Sequence, residues 1–182
     1  MFLTTQQGFR LLLILSWIIF AGVCIQAGGF IFGSFYTLVI NPANAAHYWA
    51  NNDLSALLKY DRGYFLVITL CTSITSLLKV LMFYLIVRIV RQKKLDMQHP
   101  FNTASRQFIG NLAYLSFGIG IITHIGANYT GWLVQQGVTM PDTQSLRLGG
   151  ADVWIFMGVI LLVIAQIFKR GIEIQSENEL TV

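Results

Sequence analysis

Four long apolar runs constrain what this chain can fold into. They cover residues 11–38, 64–87, 107–134 and 151–168, approximately. Each run is close to or longer than the roughly 20 residues that a helix needs to cross a bilayer. In lipid the backbone must satisfy its own hydrogen bonds, and the alternating pattern of a β-barrel is absent. The sequence therefore predicts an all-α integral membrane protein, a four-transmembrane-helix bundle that forms one membrane domain over residues 1–182.

Composition agrees with this class and argues against several functions. Of the 182 residues, 55% are hydrophobic and 11% are charged, whereas soluble domains carry about a quarter charged residues. Cys24 and Cys71 stand singly inside apolar runs, so neither a disulfide framework nor a zinc site is predicted. No carboxylate pair, nucleophile–base set or phosphate loop is visible. We therefore predict neither an enzyme nor a bound metal or cofactor.

The basic residues predict the orientation of the spans. Apart from Lys79, which lies inside a span, three of them fall on one side and eight on the opposite side, which the positive-inside rule assigns to the cytoplasm. Both termini are then cytoplasmic, and residues 169–182 form a cytoplasmic tail. The first group is Lys59, Arg62 and Arg147, and the second is Arg10, Arg88, Arg91, Lys93, Lys94, Arg106, Lys169 and Arg170.

The first span is longer than a membrane requires. A helix through residue 40 would measure roughly 45 Å at 1.5 Å per residue, against about 30 Å of hydrocarbon. It must tilt, break near Gly28 and Gly29, or project outward, and projection is favoured.

In the loop after this span, Leu54, Leu57 and Leu58 share one helical face. They predict a short amphipathic outer helix between spans 1 and 2, lying on the membrane surface.

A polar stripe runs through the second span. Thr69, Thr72, Ser76 and Lys79 fall on one arc of a helix, and we call these four residues the polar seam. A lysine inside the membrane costs at least about 2.5–3.5 kcal/mol on insertion scales. Lys79 either extends its amine to the cytoplasmic interface or has a functional or partner-binding role. No acidic partner for it is evident in the sequence.

Two further polar residues stand at a depth similar to that of Thr72. Gln26 and His124 are predicted to form a polar pocket with Thr72 and Ser73 in the outer half of the bundle, and an interhelical hydrogen bond is the simpler interpretation. Small residues favour close helix packing over a substrate pathway. They are Gly22, Gly29 and Gly33 in span 1, Ala113, Ser116, Gly120, Thr123, Ala127 and Gly131 in span 3, and Ala151, Gly158 and Ala165 in span 4.

Charged residues near the inner ends of the spans are candidates for a cytoplasmic partner contact. The basic ones, Arg91, Lys93 and Lys94, are first a topology signal, and docking of anionic lipid or of a protein is the alternative. The acidic ones, Glu173, Glu177 and Glu179, could meet a basic protein module. The alternative is a solvated tail that only anchors the last span.

The tail also carries a resemblance. Residues 167–182 read "IFKRGIEIQSENELTV", and residues 99–102 read "HPFN". These two stretches resemble signatures of the DUF2975 family of bacterial four-span membrane proteins, with Ile174 standing where leucine is common. The resemblance implies a protein of the bacterial cytoplasmic membrane that is encoded beside a small helix-turn-helix protein.

Two functional expectations follow, the first from this resemblance and the second from the polar residues of the spans. The first is a membrane-embedded sensor or sequestering partner of a small cytoplasmic helix-turn-helix transcriptional regulator. The second is a small transporter or channel that uses the polar seam with Gln26 and His124. The predicted partners are the lipid bilayer and that regulator. No direct contact with nucleic acid is predicted. The spacing Gly29-x-x-x-Gly33 leaves a homo-oligomer open.

Overall fold

The computed structural model describes residues 5–91 and 101–179. This part of the chain is helical and contains no β-strand. Four of its helices are long and apolar enough to cross a membrane, which confirms the predicted all-α class with four candidate spans and identifies a multi-pass membrane protein. The helices are α1 (Thr5–Phe35), α2 (Ser55–Tyr60), α3 (Arg62–Arg91), α4 (Thr103–Gln135) and α5 (Ala151–Glu179).

The four long helices pack in a row. α1 packs on α3, α3 on α4, and α4 on α5, and within the described residues no comparable packing joins α1 to α5. Ring contacts such as Phe20 with Tyr84 join α1 to α3. Most of α1 and α5 is exposed, including large apolar side chains such as Ile18 and Phe156. The two flanking helices therefore present their apolar surfaces outward, where lipid would cover them.

The buried apolar core lies at one end of the row. This end carries residues 36–61 and 136–150, and we call it the outer end, following the predicted orientation. The core joins the ends of α1, α3 and α4 to both connecting segments, and we call it the outer cap. Its residues are Phe30, Ala45, Tyr48, Leu54, Leu57, Phe65, Ile68, Leu133, Val138, Leu146 and Leu148.

Helix α1 continues past its glycines without breaking. It ends at Phe35 and is followed by a π-helical turn over Tyr36–Ile40. A Cβ atom on Gly29 would overlap the ring of Trp49, and one on Gly33 would lie 3.2 Å from the ring of Tyr48. The glycines therefore make room for the segment after α1, which folds back onto the helix.

The short outer helix forms where it was predicted but packs differently. α2 begins at Ser55, and Leu54 and Leu57 are fully buried in the outer cap, while Leu58 packs partly against it. The prediction that this face lies on the membrane surface is wrong, because protein side chains cover it. Burying two leucines in the cap contributes more than an interfacial position that leaves them partly wet.

Helix α5 begins deep in the row. A Cβ on Gly120 of α4 would lie 3.2 Å from the carbonyl oxygen of Ala151, the first residue of α5. From Gly120 to its end at Gln135, α4 extends about 22 Å further at 1.5 Å per residue. Residues 136–150 must return over this distance, so they fold back between the helices. Leu148 fits against Gly126, whose Cβ would lie 3.0 Å from the leucine methyl groups.

The inner end shows a helix cap and an extension beyond the predicted span. The side chain of Asn102 accepts a hydrogen bond from the backbone amide of Ser105 (2.8 Å) and caps α4. α5 does not stop near Arg170, where the predicted tail begins, but continues through Gly171 to Glu179.

Candidate functional site

The polar seam forms on one face of α3. Thr69, Thr72 and Ser76 are buried, and Lys79 is half-buried. The Thr69 hydroxyl donates to the carbonyl of Phe65 (2.9 Å), and the Thr72 hydroxyl donates to the carbonyl of Thr69 (2.9 Å). The hydroxyl groups of both threonines therefore find their hydrogen-bond acceptors within α3.

Lys79 contacts the segment between α4 and α5. Its Nζ atom lies 3.5 Å from the carbonyl oxygen of Arg147 and 5.6 Å from the ring centroid of Trp154. Side chains on a helix lean toward its N-terminus, and the N-terminus of α3 is at the outer end. The amine therefore extends toward the outer end, which contradicts the first of the two alternatives for Lys79, extension to the cytoplasmic interface.

The backbone at Arg147 adopts a strained conformation in which its carbonyl faces Lys79. Its φ is +60°, in the left-handed region that non-glycine residues rarely adopt. Its neighbours Leu146 and Leu148 are both fully buried, and their packing holds the turn in place. The guanidinium stays exposed, while the carbonyl of Arg147 faces Lys79. From the sequence, Arg147 is only a topology charge, and Trp154 has no predicted role at Lys79.

Gln26 and His124 do not share a pocket. Gln26 lines a cleft of about 630 Å³ between α1, the turn at Trp49 and the α4–α5 segment. His124 lies on the exposed face of α4, where its Nε2 atom is 2.9 Å from Nδ2 of Asn128 on the same helix. The predicted joint pocket and the interhelical hydrogen bond of His124 are both wrong, because Thr123 rather than His124 is buried.

The wall of this cleft is built from two connected loops. The Nδ2 atom of Asn52 donates to the carbonyl of Trp49 (2.8 Å) and, over 3.4 Å, to that of Ser145. The remaining lining residues come from α1, from the turn at Trp49 and from residues 142–147. They are Gly22, Ile25, Phe30, Ala50, Asp142, Gln144 and Arg147.

Tyr48 anchors the first loop to α1. Its hydroxyl lies 2.7 Å from Oγ of Ser34 and donates to the carbonyl of Phe30 (3.0 Å). Burial raises the pKa of Tyr48 above its ordinary value, although the hydrogen bonds from Ser34 and Thr72 oppose this rise. The phenol therefore stays neutral at physiological pH and remains available as a donor to the helix carbonyl.

The predicted contact residues at the inner end are only partly described. Arg91 is exposed at the end of α3, whereas Lys93 and Lys94 lie outside the described residues. Glu173 pairs within α5, with Arg170 at 3.1 Å and Lys169 at 3.9 Å. Glu177 follows one turn later and is exposed, and Glu179 is the last residue of α5.

The two stretches that carry the family resemblance meet in space. Phe101 of "HPFN" packs edge-on against Phe168, with ring centroids 5.3 Å apart. A Cβ on Gly171 would lie 2.5 Å from the Phe101 ring, so glycine permits this approach. Beside the contact lies a groove of about 480 Å³, lined by Phe101, Ile167, Arg170, Gly171, Ile174 and Gln175.

No metal site accompanies these features in the described residues, where no group of three His, Cys, Asp or Glu side chains could hold an ion.

Neither the curated proteins nor the solved structures give a match to the chain. A family model described as "Protein of unknown function (DUF2975)" matches residues 36–182, which is most of the chain. The predicted resemblance is confirmed, and the chain belongs to the DUF2975 family.

Proposed function

We propose that the protein is a membrane-embedded sensor that passes a signal from its outer end to a small regulator at its inner end. One observation carries this proposal. Helix α5 runs without interruption from Trp154, which contacts Lys79, to an extension that carries the exposed Glu177 and ends at Glu179. A single rigid element therefore joins the half-buried lysine near its start to a charged surface near its end.

The packing of α5 suits a movable helix. α5 packs mainly on α4, and most of its surface is exposed. Gly120 and Gly158 bring the two helices close: a Cβ on Gly158 would lie 3.0 Å from the ring of Phe117. Because α5 packs mainly on this one neighbour, a tilt of α5 would disturb its contact with α4 and leave the packing of α1 on α3 in place.

The receiving element is the segment of residues 142–147. It forms one wall of the 630 Å³ cleft and supplies the carbonyl that Lys79 contacts. A molecule entering the cleft would press on this segment directly. Because Gly150 and Ala151 follow within a few residues, a shift of the segment is transmitted to the start of α5.

The output surface combines charge with an apolar groove. Ion pairs between exposed side chains contribute only about 0–1 kcal/mol, so Glu173 can exchange Lys169 and Arg170 for a basic partner at low cost. The groove beside Phe101 offers space for an apolar side chain. The partner that fits is the small helix-turn-helix regulator implied by the family resemblance, because its DNA-binding surface is basic and would be held away from DNA phosphates. The charge distribution favours a bacterial cytoplasmic membrane with both termini inside.

Co-purification tests this proposal. Tagged full-length protein should retain the regulator encoded beside it, and deletion of residues 173–182 should abolish retention. Expression and thermal stability in detergent should change little, since this segment contributes no residue to the outer cap. Asp152→Asn, at an exposed position in the first turn of α5, is the matched control and should retain the regulator. Undiminished retention after the deletion would refute the role of the extension.

A transporter is the second candidate, and the buried hydroxyls near Lys79 favour it. Within the described residues, four buried side-chain oxygens have no hydrogen-bond partner, which is expected of groups that line a polar pathway. They belong to Thr75, Ser76, Ser116 and Thr123. Proteoliposome flux separates the two functions. A sensor gives the same ion and solute leak as lipid alone, and flux that depends on Lys79 would establish the transporter instead.

A further inference from the structure

The cleft beside α1 carries two opposite charges that do not neutralise each other. Asp142 and Arg147 both line it, and within the described residues neither side chain forms an ion pair. The carboxylate of Asp142 accepts a hydrogen bond at Oδ2 from the backbone amide of Gln144 (3.1 Å). The cleft volume of about 630 Å³ falls within the range of small-ligand sites, roughly 300–1,000 Å³. One occupant can therefore meet both charges.

Two further side chains make the cleft polar. Gln26 brings a carboxamide into it from α1, and in the described part of the chain this amide has no hydrogen-bond partner. The hydroxyl of Ser145 donates to the carbonyl of Asp142 (2.7 Å), which leaves the hydroxyl oxygen able to accept. A half-buried amide without a partner costs free energy, so a polar occupant with N–H donors suits this cleft.

The cleft lies at the boundary between hydrocarbon and water at the outer end. At 1.5 Å per residue, Gly22 is about 18 Å and Phe30 about 30 Å outward from Arg10 along α1, and the hydrocarbon is about 30 Å thick. α5 likewise begins about 27 Å outward from Lys169, so residues 142–147, just before it, stand near the headgroup region. Ile25 lines the cleft and is 65% exposed. The cleft therefore opens onto the apolar surface of α1.

We propose that the cleft binds the zwitterionic headgroup of a phospholipid that carries a primary amine, from the leaflet at the outer end. The guanidinium of Arg147 donates to the phosphate oxygens, and the carboxylate of Asp142 accepts from the ammonium group. The acyl chains pass Gly22 and Ile25 into the bilayer. An anionic headgroup leaves Asp142 without a cation, and a trimethylammonium group has no N–H to donate. This inference rests on the proposed function, because it names the molecule that the receiving cleft takes.

Lipid binding by the purified full-length protein tests this proposal. Native mass spectrometry in detergent measures adducts with phosphatidylethanolamine, phosphatidylcholine or phosphatidylglycerol of the same acyl chains. We expect the ethanolamine lipid to bind at least about tenfold more tightly than the other two, the equivalent of 1.4 kcal/mol. Equal affinities for the three lipids would overturn the headgroup assignment. Glycerophosphoethanolamine, the same headgroup without acyl chains, should compete weakly, and competition as strong as that of the lipid would overturn the membrane source.

Two variants locate the effect in the cleft. Asp142→Asn keeps a side-chain oxygen for the Gln144 amide and removes the charge, so phosphatidylglycerol should bind at least as tightly as the ethanolamine lipid. Arg147→Gln should weaken the binding of all three lipids at least about tenfold. The matched controls Asp152→Asn and Arg62→Gln change exposed charges outside the cleft lining and should keep the wild-type preference. Wild-type binding in both cleft variants, or a lost preference in a control, would contradict the assignment.

The lipid assay is separate from the co-purification assay, because it uses the protein without the regulator. If the lipid preference is absent while the regulator is retained, the headgroup assignment is wrong and the sensor proposal stands. If the regulator is lost while the lipid preference holds, the cleft is a lipid site and the sensor proposal is wrong.

Discussion

Replacing Leu57 by alanine should destabilise the protein through the outer cap. Leu57 is fully buried and belongs to the same core as Tyr48 and Phe65. Truncating a buried leucine costs about 2–5 kcal/mol, because the transfer free energy of the lost methyl groups adds to the cavity that remains. Because Leu57 is completely buried within a core of large side chains, we expect the free energy of unfolding to fall by about 3 kcal/mol.

Thermal unfolding in detergent, followed by the helical circular dichroism signal, measures this effect. For a chain of this size, about 3 kcal/mol corresponds to a fall of roughly 6–12 °C in Tm. Leu66→Ala is the matched control, because Leu66 lies on α3 at 43% exposure, and its Tm should fall much less. If α2 instead lay on the membrane surface, the two variants would lower Tm equally, and the cap would be refuted as the stabilising core.

Three further results are expected. Tyr48→Phe keeps the buried ring but removes two hydrogen bonds, so the free energy of unfolding should fall by about 1–2 kcal/mol; an unchanged value would count against these bonds. Gly126→Leu should displace the α4–α5 segment and lower Tm, whereas Gly131→Leu, which meets open space, should not; equal effects would contradict the buried position of this segment. In intact cells, an impermeant thiol reagent should label a cysteine at Lys59 and not one at Ser176, and the reverse result would invert the orientation.

The sequence predicted the long helices because their signal is local. Twenty or more consecutive apolar residues are sufficient to indicate a span, and 100° per residue placed Thr69, Thr72 and Ser76 correctly on one buried face. The cap at Asn102 was predictable for the same reason, since its side chain bonds an amide three residues later.

The errors arose where tertiary packing decides the outcome. Residues 136–150 have the composition of a solvent-exposed loop, and the burial of Leu148 among them depends on Gly126 of a different helix. The turn beside Leu148 places the carbonyl of Arg147 near the Lys79 amine, which excludes the alternative in which this amine extends to the cytoplasmic interface. His124 was assigned to the polar pocket from its depth in the membrane, but depth does not determine which face of the helix a residue occupies. The neighbouring Thr123 takes the buried position.

Pulsed electron paramagnetic resonance can follow the coupling through α5. Spin labels at Gln107 on α4 and Ser176 on α5, both exposed, report the separation of the two helices at the inner end once both native cysteines are replaced by alanine. Lys79→Met removes the contact with Arg147 and Trp154. It should shift the distance distribution by at least about 2 Å, since a long helix amplifies the 1–2 Å shifts that packed helices make. The exposed control Lys59→Met should leave the distribution unchanged. Identical distributions in wild type and Lys79→Met would contradict the proposal that α5 connects the two ends.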